Sequence, residues 1–153
     1  MKRMIAMLVL SAGFVGMAQV PNFYKNSGSS SNASGRPTYY YDRNGMSAGR
    51  SQTTGNTTYY YDSNGRPAGK ATRSGNTTYY YNRNGTSAGR SQTSGGTTYY
   101  YDNTGRSAGR ASTSGNNTYY YNRNGTSAGR SRNSGGTTYY YDSNGRSAGR
   151  STR

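Results

Sequence analysis

One position in every twenty carries a positive charge: Arg50, Lys70, Arg90, Arg110, Arg130 and Arg150. At the same period run tyrosine triplets beginning at Tyr39, Tyr59, Tyr79, Tyr99, Tyr119 and Tyr139. A guanidinium offers paired N–H donors to phosphate, carboxylate or sulfate oxygens, and a tyrosine face packs on sugar rings or bases. The two residue types in one register point to binding of an extended polyanion: anionic polysaccharide, cell-wall polymer or nucleic acid. The six basic residues are the candidate contacts. The central tyrosines, Tyr40, Tyr60, Tyr80, Tyr100, Tyr120 and Tyr140, are candidates for stacking or for a core.

Catalysis finds little to work with. The chain has no His, Cys, Trp or Glu, so acid–base chemistry would rest on Asp, Lys or Tyr, and disulfides and the commonest transition-metal ligands are missing. The expectation is a protein that is not an enzyme and has no catalytic residues, cofactor or metal site. Asp62-Ser63-Asn64-Gly65 resembles the start of a calcium loop, but Asn82 and Asn122 replace the Asp in two repeats and the closing glutamate is missing. Asn56-Thr57-Thr58 and Asn76-Thr77-Thr78 satisfy the glycosylation sequon, which a Thr-rich chain produces easily by composition. Nineteen Lys and Arg stand against four Asp, a formal charge of +15, which favours anionic partners and solubility without specifying a fold.

The elements that must position these residues follow from the repeat. Lys2 and Arg3 precede an apolar run from Met4 to Val15 and then Gly16-Met17-Ala18, the layout of a signal peptide over residues 1–18 cleaved after Ala18. The expected location is therefore periplasmic, secreted or at the cell surface, with no transmembrane segment after cleavage. Residues 19–35 carry no repeat and read as a flexible linker, and residues 36–153 form six tandem units of twenty without insertion or deletion.

Within each unit a glycine turn signal recurs every ten residues. Asp62 to Gly65 suits a type I turn with a following bulge, and Ser74-Gly75-Asn76 is a second hairpin signal. Between them lie an aromatic segment, Thr77-Thr78-Tyr79-Tyr80-Tyr81, and a small polar one, Ser87-Ala88-Gly89-Arg90-Ser91. Each repeat is read as one β-hairpin, with Tyr79 and Tyr81 on one face and Tyr80 on the other. Gly89 marks a bulge or a place where a neighbouring tyrosine lies across the backbone.

The fold class is thus all-β, the hairpins forming an elongated meander or solenoid-like array; the alternative is a largely disordered low-complexity chain. One repeat buries too little to fold alone, so stacking between repeats must hold the array. Repeats also alternate over forty residues: Arg43, Arg83 and Arg123 occupy the turn in odd units, whereas Arg66, Arg106 and Arg146 follow the turn glycine in even ones.

The run Tyr59, Tyr61, Asp62, Gly65 and Arg66, repeated as Tyr139, Tyr141, Asp142, Gly145 and Arg146, resembles the tyrosine-aspartate (YD) repeats of RHS-type bacterial surface proteins. That resemblance implies an extracellular scaffold of β-hairpins. Met46, Thr86 and Thr126 depart from it by replacing Arg, and six units are far fewer than the large shell of that family requires. A weaker likeness is to the choline- and glucan-binding hairpin repeats of cell-wall proteins, whose ligand cages use tryptophans that this chain lacks. The expected function is an extracellular structural or adhesive element presenting rows of Tyr and Arg. The alternatives are a surface module for anionic polymers and a self-assembling fibre subunit.

Overall fold

The computed structural model describes residues 35–153; the expected signal peptide and the linker up to residue 34 lie outside the described residues. Twelve strands follow in order: β1 Thr38–Tyr41, β2 Ser47–Thr54, β3 Thr57–Tyr61, β4 Pro67–Ser74, β5 Thr77–Asn82, β6 Ser87–Ser94, β7 Thr97–Tyr101, β8 Ser107–Ser114, β9 Asn117–Asn122, β10 Ser127–Ser134, β11 Thr137–Tyr141 and β12 Ser147–Thr152. Each pairs antiparallel with its sequence neighbours, as a tandem array of hairpins requires. The array does not run on, however: β12 returns to pair with β1, and the sheet is a closed barrel.

Closure follows from the repeat's own register. Between repeats the pairing sets Arg50 opposite Tyr61, Ser51 opposite Tyr60 and Gln52 opposite Tyr59. Across the seam, Arg150 faces Tyr41, Ser151 faces Tyr40 and Thr152 faces Tyr39. The last repeat therefore meets the first in the register that joins any two neighbours, over three residue pairs where β2 and β3 have five. Because six is even, the alternation of the turn arginines also continues around the ring, Arg146 being followed by Arg43.

Two turn types alternate at the two ends. At one end Gly45 donates its N–H to the Asp42 carbonyl at 3.0 Å and has φ +79°, the type I turn with a left-handed glycine that the sequence signals. Asp42 Oδ1 accepts from the backbone N–H groups of Asn44 and Met46, both at 2.9 Å. Asn82 Oδ1 accepts from Asn84 and Thr86 in the same way, so either residue serves. At the other end the loops have two residues; Gly95 and Gly96 have φ of 55° and 76°, a type I′ turn.

The alternation at the first turn has a structural correlate. Where Asn replaces Asp, Thr replaces Arg four residues on, and the Asn82 and Asn122 side-chain amides donate to Thr86 and Thr126 Oγ1. The arginine displaced from that site reappears inside the turn as Arg83 or Arg123, so each repeat keeps one arginine at this rim.

Every even strand carries a bulge. Tyr80 pairs with Gly89 and Tyr81 with Ser87, which leaves Ala88 as the extra residue. Ala88 and Gly89 are both buried, and the usual alternation resumes at Arg90. The bulge is the outcome at Gly89; what lies against it is backbone rather than a tyrosine ring, since a Cβ there would collide with the Tyr101 carbonyl oxygen. The same collision at Gly149 involves the Tyr41 carbonyl oxygen, across the seam.

Gly89→Ala and Gly149→Ala are expected to cost about 3 kcal/mol each, from left-handed strain plus the clash. Gly136→Asn, which copies the loops of other repeats, should change stability by less than about 0.5 kcal/mol. Urea unfolding measures all three. A clearly smaller cost at Gly149 than at Gly89 would mean that β12 does not meet β1.

Candidate functional site

Strand alternation divides each tyrosine triplet. Tyr40, Tyr60, Tyr80, Tyr100, Tyr120 and Tyr140 point inward, with 1–6% of their surface exposed. With the bulge alanines, Ala71 and Ala111 they form one core. Large tyrosines alternating with small Ala and Ser fill the interior of a closed sheet. Four of the six inner hydroxyls pair with serines eleven residues on: Tyr40 with Ser51 (3.0 Å), Tyr80 with Ser91 (2.8 Å), Tyr120 with Ser131 (3.0 Å) and Tyr140 with Ser151 (3.0 Å). These bonds satisfy polar groups whose burial would otherwise cost about 1–3 kcal/mol each. The structure thus resolves the stacking-or-core choice for the central tyrosines as core.

The first and third tyrosines face outward. Tyr39, Tyr59, Tyr79, Tyr99, Tyr119 and Tyr139 are 39–45% exposed, a high fraction for so large an aromatic. Each basic residue sits between two of these outer rings. Arg50 is opposite Tyr39 within its hairpin and opposite Tyr61 in the next. Its guanidinium carbon lies 4.3 Å from the Tyr61 ring centre. Lys70 lies over Tyr81 at 5.5 Å, Arg90 over Tyr101 at 4.8 Å, Arg110 over Tyr121 at 5.1 Å and Arg130 over Tyr141 at 4.9 Å. Arg150 completes the set over Tyr41 at 5.1 Å, across the seam.

All six sequence-selected basic residues therefore come together, not in a straight row but in a girdle around the barrel. With two strands per repeat and about 4.8 Å between strands, neighbouring charges sit about 10 Å apart, where repulsion in water is about 0.4 kcal/mol per pair. A guanidinium lying over a tyrosine ring is attracted to the ring face and still has N–H donors to offer an oxyanion. Arg50 is half-buried, whereas Lys70, Arg90, Arg110, Arg130 and Arg150 are exposed. A second set of cations, one arginine per repeat, rings the rim of type I turns.

Each of the four carboxylates has one oxygen, Oδ1, committed to the backbone N–H groups of its own turn. Asp62 Oδ1 accepts from the backbone N–H groups of Asn64 and Arg66, so one oxygen of the Asp in the run that resembles a calcium loop is committed to the turn. At Asp102 the Thr104 hydroxyl adds a bond of 2.7 Å, which, with Arg106 nearby, holds the carboxyl below its usual range. The serine partners of the inner tyrosines were not singled out from sequence; their signal is the eleven-residue spacing from a central Tyr. Compared with known protein families and with curated proteins, the chain matches none.

Burial pushes the Tyr80 phenol up to about 12, and Tyr40, Tyr100, Tyr120 and Tyr140 are shifted in the same direction for the same reason. An unfolded tyrosine ionises near pH 10. The folded state therefore holds protons that the unfolded state has lost, and stability that is full below about pH 10 falls as pH rises toward 12. Tyrosinate absorbance from the inner set should rise together with loss of strand circular dichroism above about pH 10.

Substitution separates the two sets of tyrosines. Tyr80→Ser should cost about 3–5 kcal/mol and Tyr79→Ser less than about 1 kcal/mol, as read by denaturant midpoints.

Proposed function

We propose that this chain is an extracellular adhesive barrel that binds anionic polymers through its Tyr–Arg girdle. The observation that supports it best is the sixfold pairing of an outward-facing cation with a tyrosine face at 4.3–5.5 Å, repeated around the whole circumference. Such a pair offers an oxyanion two N–H donors and a sugar ring an apolar plane in one place. Sixteen Lys and Arg against four Asp from residue 36 onward supply a long-range field of the right sign. The signal-peptide layout of residues 1–18 supports an extracytoplasmic location, and the resemblance to YD surface repeats points the same way.

Two other readings receive less support. A fibre built by strand addition needs open sheet edges, and the pairing of β1 with β12 leaves none among the described strands. A lipid-embedded barrel needs an apolar outer band, whereas an Arg or Lys here sits on the outer face of every even strand. Each would cost about 2–4 kcal/mol at a bilayer midplane.

A stiff polymer touching a cylinder from one side reaches about two or three of the six charges, so binding should weaken with log salt at a slope of about −2 to −3 per bound strand. Retention on heparin, DNA and isolated cell wall at rising salt measures this. Arg50→Gln, Arg90→Gln and Arg130→Gln together should lower the eluting salt while the strand signal is retained. Absent or salt-insensitive retention overturns the proposal.

A further inference from the structure

The barrel has one place where its sixfold repetition is broken. Five two-residue loops join neighbouring hairpins at the type I′ end, but β1 and β12 meet there with no connecting loop. A cavity of about 190 Å³ opens into the barrel at this seam. Its volume equals that of about six waters and is below the usual range for drug-sized ligands, so it suits a molecule of monosaccharide size.

The lining is polar, and its charged side chains are of one sign. Arg36 and Arg153 supply two guanidinium groups and no carboxylate side chain opposes them. Hydroxyls come from Thr38, Thr58, Thr138, Ser51 and Ser151, and the inner tyrosines Tyr40, Tyr60 and Tyr140 contribute aromatic surface.

Three of these residues depart from the repeat. Position 36 corresponds to Asn56, Asn76, Gly96, Asn116 and Gly136, none of them charged. Position 153 corresponds to Thr53, Thr93, Thr113 and Asn133, and to Arg73, which does not line the cavity and donates its Nε–H to the Gly75 carbonyl at 3.0 Å. Ser51, Ala71, Ser91, Ala111 and Ser131 alternate strictly, so the pattern calls for Ala at 151, where the chain has Ser. Ser151 Oγ bonds Tyr140 OH at 3.0 Å within the lining, and a serine hydroxyl retains further hydrogen-bonding capacity for a ligand.

We propose that this seam cavity is a second binding site, distinct from the outer girdle, for a small sugar bearing an anionic group. Arg36 and Arg153 take the carboxylate or phosphate, the Thr and Ser hydroxyls exchange hydrogen bonds with the sugar hydroxyls, and a tyrosine ring lies against the pyranose face. The girdle holds polymer by its length; the mouth takes a single residue, free or at a chain end.

Titration calorimetry on the full chain with glucuronate, glucose 6-phosphate and neutral glucose tests this. Saturable binding of either anionic sugar with little binding of glucose is expected. The variant Arg36→Asn, Arg153→Thr restores the repeat consensus at two exposed positions and keeps the Ser151–Tyr140 bond, so it should fold with an unchanged melting temperature. It should lose at least about tenfold in affinity, the effect of one charge-assisted contact or more. Its heparin retention should persist, whereas Arg50→Gln, Arg90→Gln, Arg130→Gln should keep the sugar affinity, so the two sites fail separately. No saturable binding of either anion, equal binding of glucose, or an unchanged affinity in the consensus variant overturns the proposal.

Discussion

The inner tyrosines must be dry, and one repeat cannot dry them. Each hairpin sends a single large side chain inward, flanked by Ala, Gly and Ser, and a flat or open sheet would leave that ring in water. Curling the sheet until the last repeat meets the first lets Tyr40 to Tyr140 pack into one cluster, with the seam in the same register as the other interfaces. The rest of the fold serves that curvature. A bulge in each even strand bends it, a glycine at the bulge admits the neighbouring backbone, and the Ser–Tyr hydroxyl pairs keep the crowded polar atoms bonded.

The same residue type then has two kinds of work within three positions. Tyr80 is buried and its phenol is hard to ionise, whereas Tyr79 is 41% exposed and Tyr81 carries a lysine over its ring. Period two along a strand is sufficient to separate these roles, and the bulge opposite preserves the separation by absorbing one extra residue. Without that extra residue the strand after Ala88 would be out of phase, and Arg90 would point into the core. The placement of charge outside and phenol inside is therefore one property, not two.

Much of this was legible because it is local. Asp62 to Gly65 gives its turn through contacts within five residues, Tyr79 and Tyr81 share a face by strand geometry, and Gly89 signals the bulge by its place in a strand. Closure was not legible, because the contact that makes it, Tyr40 against Ser151, joins residues at opposite ends of the array and uses no residue type that the other interfaces lack. The expectation of a straight row of cations failed to specify a ring for the same reason. The forty-residue alternation carried meaning that sequence inspection alone did not extract: Asn82 with Thr86 and Asp62 with Arg66 are two solutions to one turn, and Ser against Ala at position 51 and its equivalents decides whether an inner tyrosine has a serine opposite.

A ring of cations on a closed barrel differs functionally from a row on an open array. A row binds one polymer along its length and gains affinity with every repeat added. A girdle turns successive charges away from any one strand, so extra repeats add directions rather than contacts, and under the proposed function one barrel would hold polymer chains on several sides. Individually weak attachments then act together through effective concentration. Bridging of this kind suits adhesion within a matrix better than high-affinity capture of one ligand. It also explains why a chain with so few acidic residues tolerates its charge: closure spreads the six girdle cations around a circumference, each against its own tyrosine face, instead of crowding them on one surface.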